Sequence, residues 1–439
     1  MTRTKRWFSA IAVVAGLVAA ALFVATSMLL PSDEKIAAAL SARFEENFAI
    51  GLKIGSAQRS LWPVPTLVLN DLATAQPRPI TAKRVTLRLR VAPLWHREIG
   101  FEAVDVESAV FPSASVRAFR GRGGADKPED LANKHMPSGW TLASTPVEHL
   151  RLRDVGWIDR RDIALVYDGD VTFDANWRPQ AAAIQRPGVQ PVTQARAERI
   201  GSNEDRWRVF IDVGGGTLNG QAKLDSTPAG LTRITGQLAA KEIDIESVLK
   251  AFGRRAPLAG KLSGTTEIDV EGEQVTEFAR KLHTRTKFSV KPAALTRIDL
   301  AKAVSTAGIS RGGRTALDEL SGTLDTQGTD DGVILRYTNL KARSGVLTAT
   351  GNLRLFNRKI DGDAAVDVVD GVVGVPLKVS GTVDEPEVSL TGAALTGAAI
   401  GTAVLPGVGT AIGARLGQQV ERMFGGKKDE KPKARLGRP

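Results

Sequence analysis

The chain is expected to be mostly β, with few helices and an apolar anchor at its N-terminus. Three observations predict this. One long uncharged run lies near the start, an apolar–polar alternation of period two recurs almost to residue 390, and turn-forming residues punctuate it. The 439 residues include 44 glycines and 21 prolines, which favours many short strands joined by turns over long helices. Apolar residues make up 42% and charged residues 24%, the balance of a folded chain and not of a disordered one.

From Phe8 to Leu30 the sequence FSAIAVVAGLVAAALFVATSMLL carries no charge. At about 1.5 Å of rise per residue, such a run crosses a hydrocarbon core of about 30 Å with some tilt. Arg3, Lys5 and Arg6 precede it, and Asp33 and Glu34 follow. The positive-inside rule then makes residues 1–31 a cytoplasmic stub and transmembrane anchor, with everything after them on the far side. A cleaved signal peptide competes, with Ala25 and Ser27 as small residues near a cleavage site, but the length of the run favours retention. Next, SDEKIAAALSARFEENF opens with Ser32 as a helix cap and acids in the first turn. Ile36, Leu40, Phe44 and Phe48 recur at every fourth position, which predicts a helix packing one apolar stripe on the first strands.

Beyond Ile50 the period falls to two. Val85, Leu87, Leu89 and Val91 alternate with Arg84, Thr86, Arg88 and Arg90, and Trp207, Val209, Ile211 and Val213 share one face of RWRVFIDV. GVILRYTNL, VLTATGNLRLF, DAAVDVV and VPLKVSGTV continue the habit, placing Leu335, Leu353 and Leu355 in the same alternation. The pattern predicts roughly twenty strands, each with one apolar face, separated by turns such as TPAG, DDG and RSG. Helical patterns are confined to 245–253, 273–283 and 298–305. Segments 121–137 and 176–205 read as long loops, and the second divides an N-terminal β-rich region, 32–175, from a C-terminal one, 206–390. A one-faced sheet hides its apolar side against a second sheet, against helices, or by curling into a trough. The alternation does not choose among these.

The formal charge of +11 is scattered, as in Arg151 and Arg153, and concentrates only in the tail 427–439, which reads as disordered. Arginine alternating with apolar residues is the wet side of a strand, and no nucleic-acid-binding motif accompanies it. The absence of cysteine excludes disulfides, thiolate metal sites and cysteine nucleophiles. His96, His135, His149 and His283 are far apart and lack ligand spacing. No HExxH, GxSxG, SxxK or P-loop pattern is present. The string GVGTAIG at 407–413 follows Pro406 instead of a buried strand, so its likeness to a dinucleotide fingerprint is accidental. The chain is therefore expected to have no catalytic residues, no metal, no cofactor, no small-molecule substrate and no nucleic-acid partner.

Residues 391–426 are compositionally different. Gly397 and Gly401 are four apart, as are Gly409, Gly413 and Gly417, and LPGVG lies between the two groups. Small residues at this spacing let two short helices approach closely, as a hairpin. Each arm is too short to span a bilayer. A plug at one end of a trough, a segment dipping into the outer membrane and a flexible tail compete, and the basic tail suits acidic head groups.

Two regions together resemble the AsmA family of Gram-negative envelope proteins. The first is RFEENFAIGLKIGSAQRSLWPVPTLVLNDLATA followed by ITAKRVTLRLRVAPLWHREIGFEAVDVESAVF, similar to the family's order of a strand, a W-P turn, an L-x-L-x-D-L strand, an A-x-R-V-x-L-x-L strand and a closing V-x-V strand. The second is RIDLAKAV, LDELSGTLDTQGTDDGVILRYTNLKARSGVLTATGNLRL and VPLKVSGTVDEPEVSL, similar to the family's C-terminal module. Together they cover about half of the chain. The resemblance implies an inner-membrane anchor carrying a periplasmic, elongated, twisted antiparallel sheet folded as an open groove, and a role in outer-membrane biogenesis through phospholipid binding or transfer. Under it, Val85, Leu87, Leu89, Val91, Val209, Ile211, Val213, Leu335, Leu353 and Leu355 are candidates to line the lane, with membrane phospholipid and envelope proteins as partners. The alternative is a non-catalytic scaffold whose apolar face is packed core and which assists outer-membrane protein assembly.

Overall fold

The computed structural model describes residues 32–119, 141–159, 161–175, 177–201, 205–226, 231–272, 278, 280–299, 312–329, 331–345, 347–368 and 375–390. The apolar run 8–30, the expected loop 121–137, the glycine-rich segment with Gly397, Gly401, Gly409, Gly413 and Gly417, and the basic tail lie outside the described residues. Most of the helices expected at 273–283 and 298–305 does too. Among the described residues, no helix is long and apolar enough to cross a membrane.

The protein is mostly β, and its strands belong to an open, unclosed, twisted sheet. It divides into two compact units, Met1–Arg255 with Thr265–Thr284, and Ala256–Gly264 with Arg285–Pro439. The first begins with helix α1 (Asp33–Phe48). Strands β1 (Leu52–Ser60), β2 (Thr66–Thr74) and β3 (Thr81–Leu89) follow, then a 3-10 turn (Ala92–His96), β4 (Glu98–Pro112) and the short α2 (Ser113–Arg117). Next come β5 (Thr141–Ile158), β6 (Ala164–Phe173), β7 (Pro179–Gln185), β8 (Gln194–Arg199), β9 (Arg206–Val213), β10 (Gly216–Ser226), β11 (Thr232–Asp244) and α3 (Ile245–Ala251). From β1 to β11 each strand pairs with the next, antiparallel except for β4 and β5, which run parallel. A parallel neighbour needs a long connection in place of a hairpin, and β5 begins well beyond the end of β4, at Thr141.

Strand β12 (Leu258–Gly272) contributes residues to both units. In the second, β13 (His283–Leu295) pairs with β14 (Thr315–Leu317) and with β15 (Glu319–Thr329). A meander of β16 (Gly332–Ser344), β17 (Leu347–Phe356), β18 (Lys359–Val368), β19 (Val375–Gly381) and β20 (Pro386–Leu390) continues from β15.

Two expectations need correction. The segment 176–205 is not a loop, because it holds β7 and β8, and both lie inside the first unit. Their apolar positions are mostly alanines in QAAAIQ and QARAER, a weak signal that ladder pairing to β6 and β9 overrides. Val91 is not a strand residue: β3 ends at Leu89, and Val91 precedes a 3-10 turn that carries Pro93.

Several strands keep their apolar side chains on one face despite an odd spacing. Asp71, Ser108 and Asp154 have positive φ (54°, 48° and 55°). They stand between Leu69 and Leu72, Val106 and Ala109, and Leu152 and Val155. All six of these apolar residues belong to or pack against one core. A left-handed residue absorbs the extra position, and Asp and Asn tolerate that backbone best. Ser108 Oγ meets Asp154 Oδ2 at 2.7 Å, joining two such positions across the parallel pair. Asn339 (φ 52°) does the same in β16, where the register with β17 shifts between Tyr337 and Leu340.

Helix α1 covers the first strands. Ser32 Oγ accepts from the Lys35 N–H at 3.4 Å, and Ile36, Leu40 and Phe44 are buried in one core with Leu67, Val85, Leu87 and Val104. Phe44, Phe48 and Phe119 stack with centroids 4.8–6.0 Å apart. Each such side chain contributes about 1.5–3 kcal/mol on burial, which explains the strict spacing of the stripe. The opposite face of the sheet is ionic: Arg88 meets Asp105 at 2.7 Å, Arg151 meets Asp105 at 3.6 Å and Asp170 at 3.9 Å, and Arg153 meets Asp170 at 3.7 Å. The arginines scattered through the sequence are thus cross-strand partners, each pair worth about 0.2–1 kcal/mol.

Candidate functional site

The strand register carries one apolar face through the first unit. Leu69 lies opposite Val85, Val85 opposite Val106, Val106 beside Leu152, and Leu152 opposite Gly169. The same row then continues through Ile184, Ala195, Ile211, Leu218 and Ala240. A second row runs parallel to it through Leu87, Val104, Leu150 and Val171, then Ala182, Ala197, Val209, Gly220 and Leu238. Gly220 is required where it stands, since a Cβ there would lie 1.9 Å from the Gln237 carbonyl.

What covers the face changes along the rows. On β3, under α1, Val85, Leu87 and Leu89 are 0%, 1% and 3% exposed, so these three candidates are dry core and not an open lane. Val91, 48% exposed, sits beyond the strand. From β6 to β10 the described residues of this face are less deeply buried: Val171, Ala182, Ala197, Val209, Ile211 and Leu218 are half-buried, and Ile184 is 47% exposed. Val213 lies at the end of the same strip, half-buried. At about 4.8 Å per strand, β6–β10 span roughly 20 Å across the strip, near the length of one acyl chain, and the two rows lie about 7 Å apart along the strands.

Both ends of the strip are closed by polar clusters. At one end, Arg186 lies over the Tyr167 ring (5.6 Å) and the Phe252 ring (5.8 Å), and its Nε donates to the Val166 carbonyl at 3.3 Å. Burial pushes the Tyr167 hydroxyl above the ordinary tyrosine range, with the Arg186 charge opposing. At the other end, Arg199, 4% exposed, meets Asp174 at 2.6 Å. Arg178 meets Asp174 at 3.2 Å and Asp205 at 3.3 Å. These two guanidiniums and two carboxylates balance one another.

The second unit repeats the arrangement independently. Leu324 lies opposite Tyr337, Tyr337 opposite Leu353, Leu353 opposite Gly362, Gly362 opposite Val379, and Val379 opposite Val388. Beside that row, Leu335 faces Leu355 and Leu355 faces Ile360. Leu335, Leu353, Leu355 and Ile360 are half-buried. Burial raises the Tyr337 hydroxyl, whose ring meets Phe288 edge-on at 6.3 Å.

Apart from the Tyr337 hydroxyl, the named side chains of both strips are hydrocarbon, which suits them to acyl chains. His96 is in the 3-10 turn, His149 in β5 and His283 at the start of β13, on three separate elements. Sequence reasoning missed Ile184, Ala182, Ala195 and Ala197, whose only signal is the alternating alanine of β7 and β8. Comparison of the chain with protein-family models, with curated proteins and with solved structures returned no match.

Proposed function

We propose that the protein binds phospholipid by its acyl chains along the uncovered apolar faces of its sheet, as an inner-membrane-anchored, periplasmic protein of outer-membrane biogenesis. The observation that carries this reading is the unbroken apolar register of β6–β10, held half-exposed while the same rows under α1 are dry. Leaving a contiguous strip of apolar side chains partly exposed is costly for a soluble domain and marks a binding surface. Acyl chains fit it because binding needs no directed hydrogen bond, and hydrocarbon burial returns about 0.8 kcal/mol per CH₂. The second unit offers a similar half-buried strip. The bacterial setting rests on the order of motifs that resembles the AsmA family and on the charge asymmetry around residues 8–30.

Native mass spectrometry of the full chain, extracted in mild detergent, tests the proposal. Phospholipid adducts are expected on the folded protein, and Ile184→Asp should reduce their number by the share bound on the first unit. A folded protein without adducts would overturn the reading and favour the scaffold alternative, which draws on the dry packing of β1–β5.

A further inference from the structure

Four of the eight large apolar side chains exposed among the described residues gather at one end of the first unit. Leu61 and Trp62 are 67% and 84% exposed in the turn between β1 and β2, and Val91 and Trp95 are 48% and 84% exposed between β3 and β4. Strand pairing makes these two connections neighbours. Ser60 lies opposite Thr66, Thr66 opposite Arg88, and the Leu89 N–H donates to the Pro65 carbonyl at 2.8 Å. The start of α1 comes to the same end, where Asp33 pairs with Arg59 at 3.2 Å. The uncharged run Phe8–Leu30 stops three residues before Asp33.

Single exposed apolar residues are ordinary on a protein surface, but two fully presented indoles in adjoining turns are not scattered exposure. Indole is amphipathic, and tryptophan concentrates where a membrane meets water. The location agrees with this, because the patch lies where the chain enters the first unit from a run long enough to cross a bilayer. Lys35 and Arg97, both exposed at this end, would meet acidic head groups favourably.

We infer that this end of the first unit stands in the head-group layer of the membrane crossed by residues 8–30, with Trp62 and Trp95 as its interfacial anchors. The inference rests on the anchoring part of the proposed function and is independent of whether the strips bind lipid. Ala75, just past the far end of β2, is then up to about 30 Å from the surface, since nine strand residues rise about 3.3 Å each.

The chain has no cysteine, so single probes can be placed without background. Trp62→Cys, Trp95→Cys and, as the distant control, Ala75→Cys would each be labelled with a fluorophore. The full chain would then be reconstituted in vesicles of phosphatidylethanolamine and phosphatidylglycerol. Probes at 62 and 95 should be quenched severalfold more strongly than the probe at 75 by lipids carrying a nitroxide near the head group, and should be shielded from aqueous iodide. Equal quenching at all three positions would overturn the inference. So would shielding from iodide without lipid quenching, which would mean a protein contact. Failure to float with vesicles would remove the anchor and the inference with it. Adduct-free protein in the mass spectrum, with probes 62 and 95 still lipid-quenched, would reject the acyl-binding reading and leave this one standing.

Discussion

Leu89 and Ile184 point to the same face of the first unit's sheet, yet one is 3% and the other 47% exposed. Leu89 contacts the core beneath α1, so Leu89→Asp would bury a charge with no partner, and charge burial of this kind destabilises by several kcal/mol. Ile184→Asp leaves its carboxylate in reach of water and should cost no more than about 1 kcal/mol. Urea denaturation of both variants, read as a shift in midpoint at constant slope, checks the contrast. Equal costs would mean that the strip on β7 is covered as tightly as β3. The apolar alternation of TLRLRV is legible in the sequence, and so is the stripe of Ile36, Leu40 and Phe44. Which part of the apolar face is buried is not, because the helix that shares a core with Leu89 lies some forty residues earlier and alternation records a face without recording its cover.

Among elements, β7 and β8 show most plainly where sequence reading fails. Alanine carries little apolar signal, so Ala182, Ala195 and Ala197 read as linker, and only the register to Val171 and Val209 makes them strand. The motif L-x-L-x-D-L is the opposite case: its odd spacing breaks the alternation, and the positive φ of Asp71 restores it. The polar faces of these elements make a further prediction. On β11 and β12, Arg233 donates to Asp269 through Nε at 2.8 Å and Nη2 at 2.5 Å, and this hydrogen bonding holds the Asp269 carboxyl below its ordinary range. In the second unit, hydrogen bonds from Lys291 and Ser289 lower Glu319 in the same way. A folded-state pKa below the unfolded value gives stability that is complete above about pH 5 and is lost as pH falls through about 4 toward the folded value. Asp269→Asn should therefore lower the urea midpoint at pH 7, by a deficit that shrinks progressively as pH falls below about 4. Both groups are close to the surface, so added salt should shrink the difference. A deficit that stays constant as the acid range is descended would show that Asp269 acts by packing and not by charge.

At the scale of the whole molecule, two units built separately carry the same device. Each has an ionic face that pairs arginine with aspartate across strands, and an apolar face whose rows stay in phase through left-handed residues such as Asp154 and Asn339. The first unit also places α1 over one part of its apolar face and leaves the next part open, so a dry core and a binding strip coexist on one surface. In the proposed setting, lipid would meet the protein where β6 emerges from that cover. Neighbouring positions on β7 test this most directly, because Ile184 lies on the strip while Gln185 faces the other way, within reach of Asp168. With benzoylphenylalanine placed at 184 or at 185 in the full-length protein and irradiated in cells, the account predicts acyl-chain adducts at 184 and none at 185. Equal adducts at both positions, or none at 184 in well-folded protein, would contradict it.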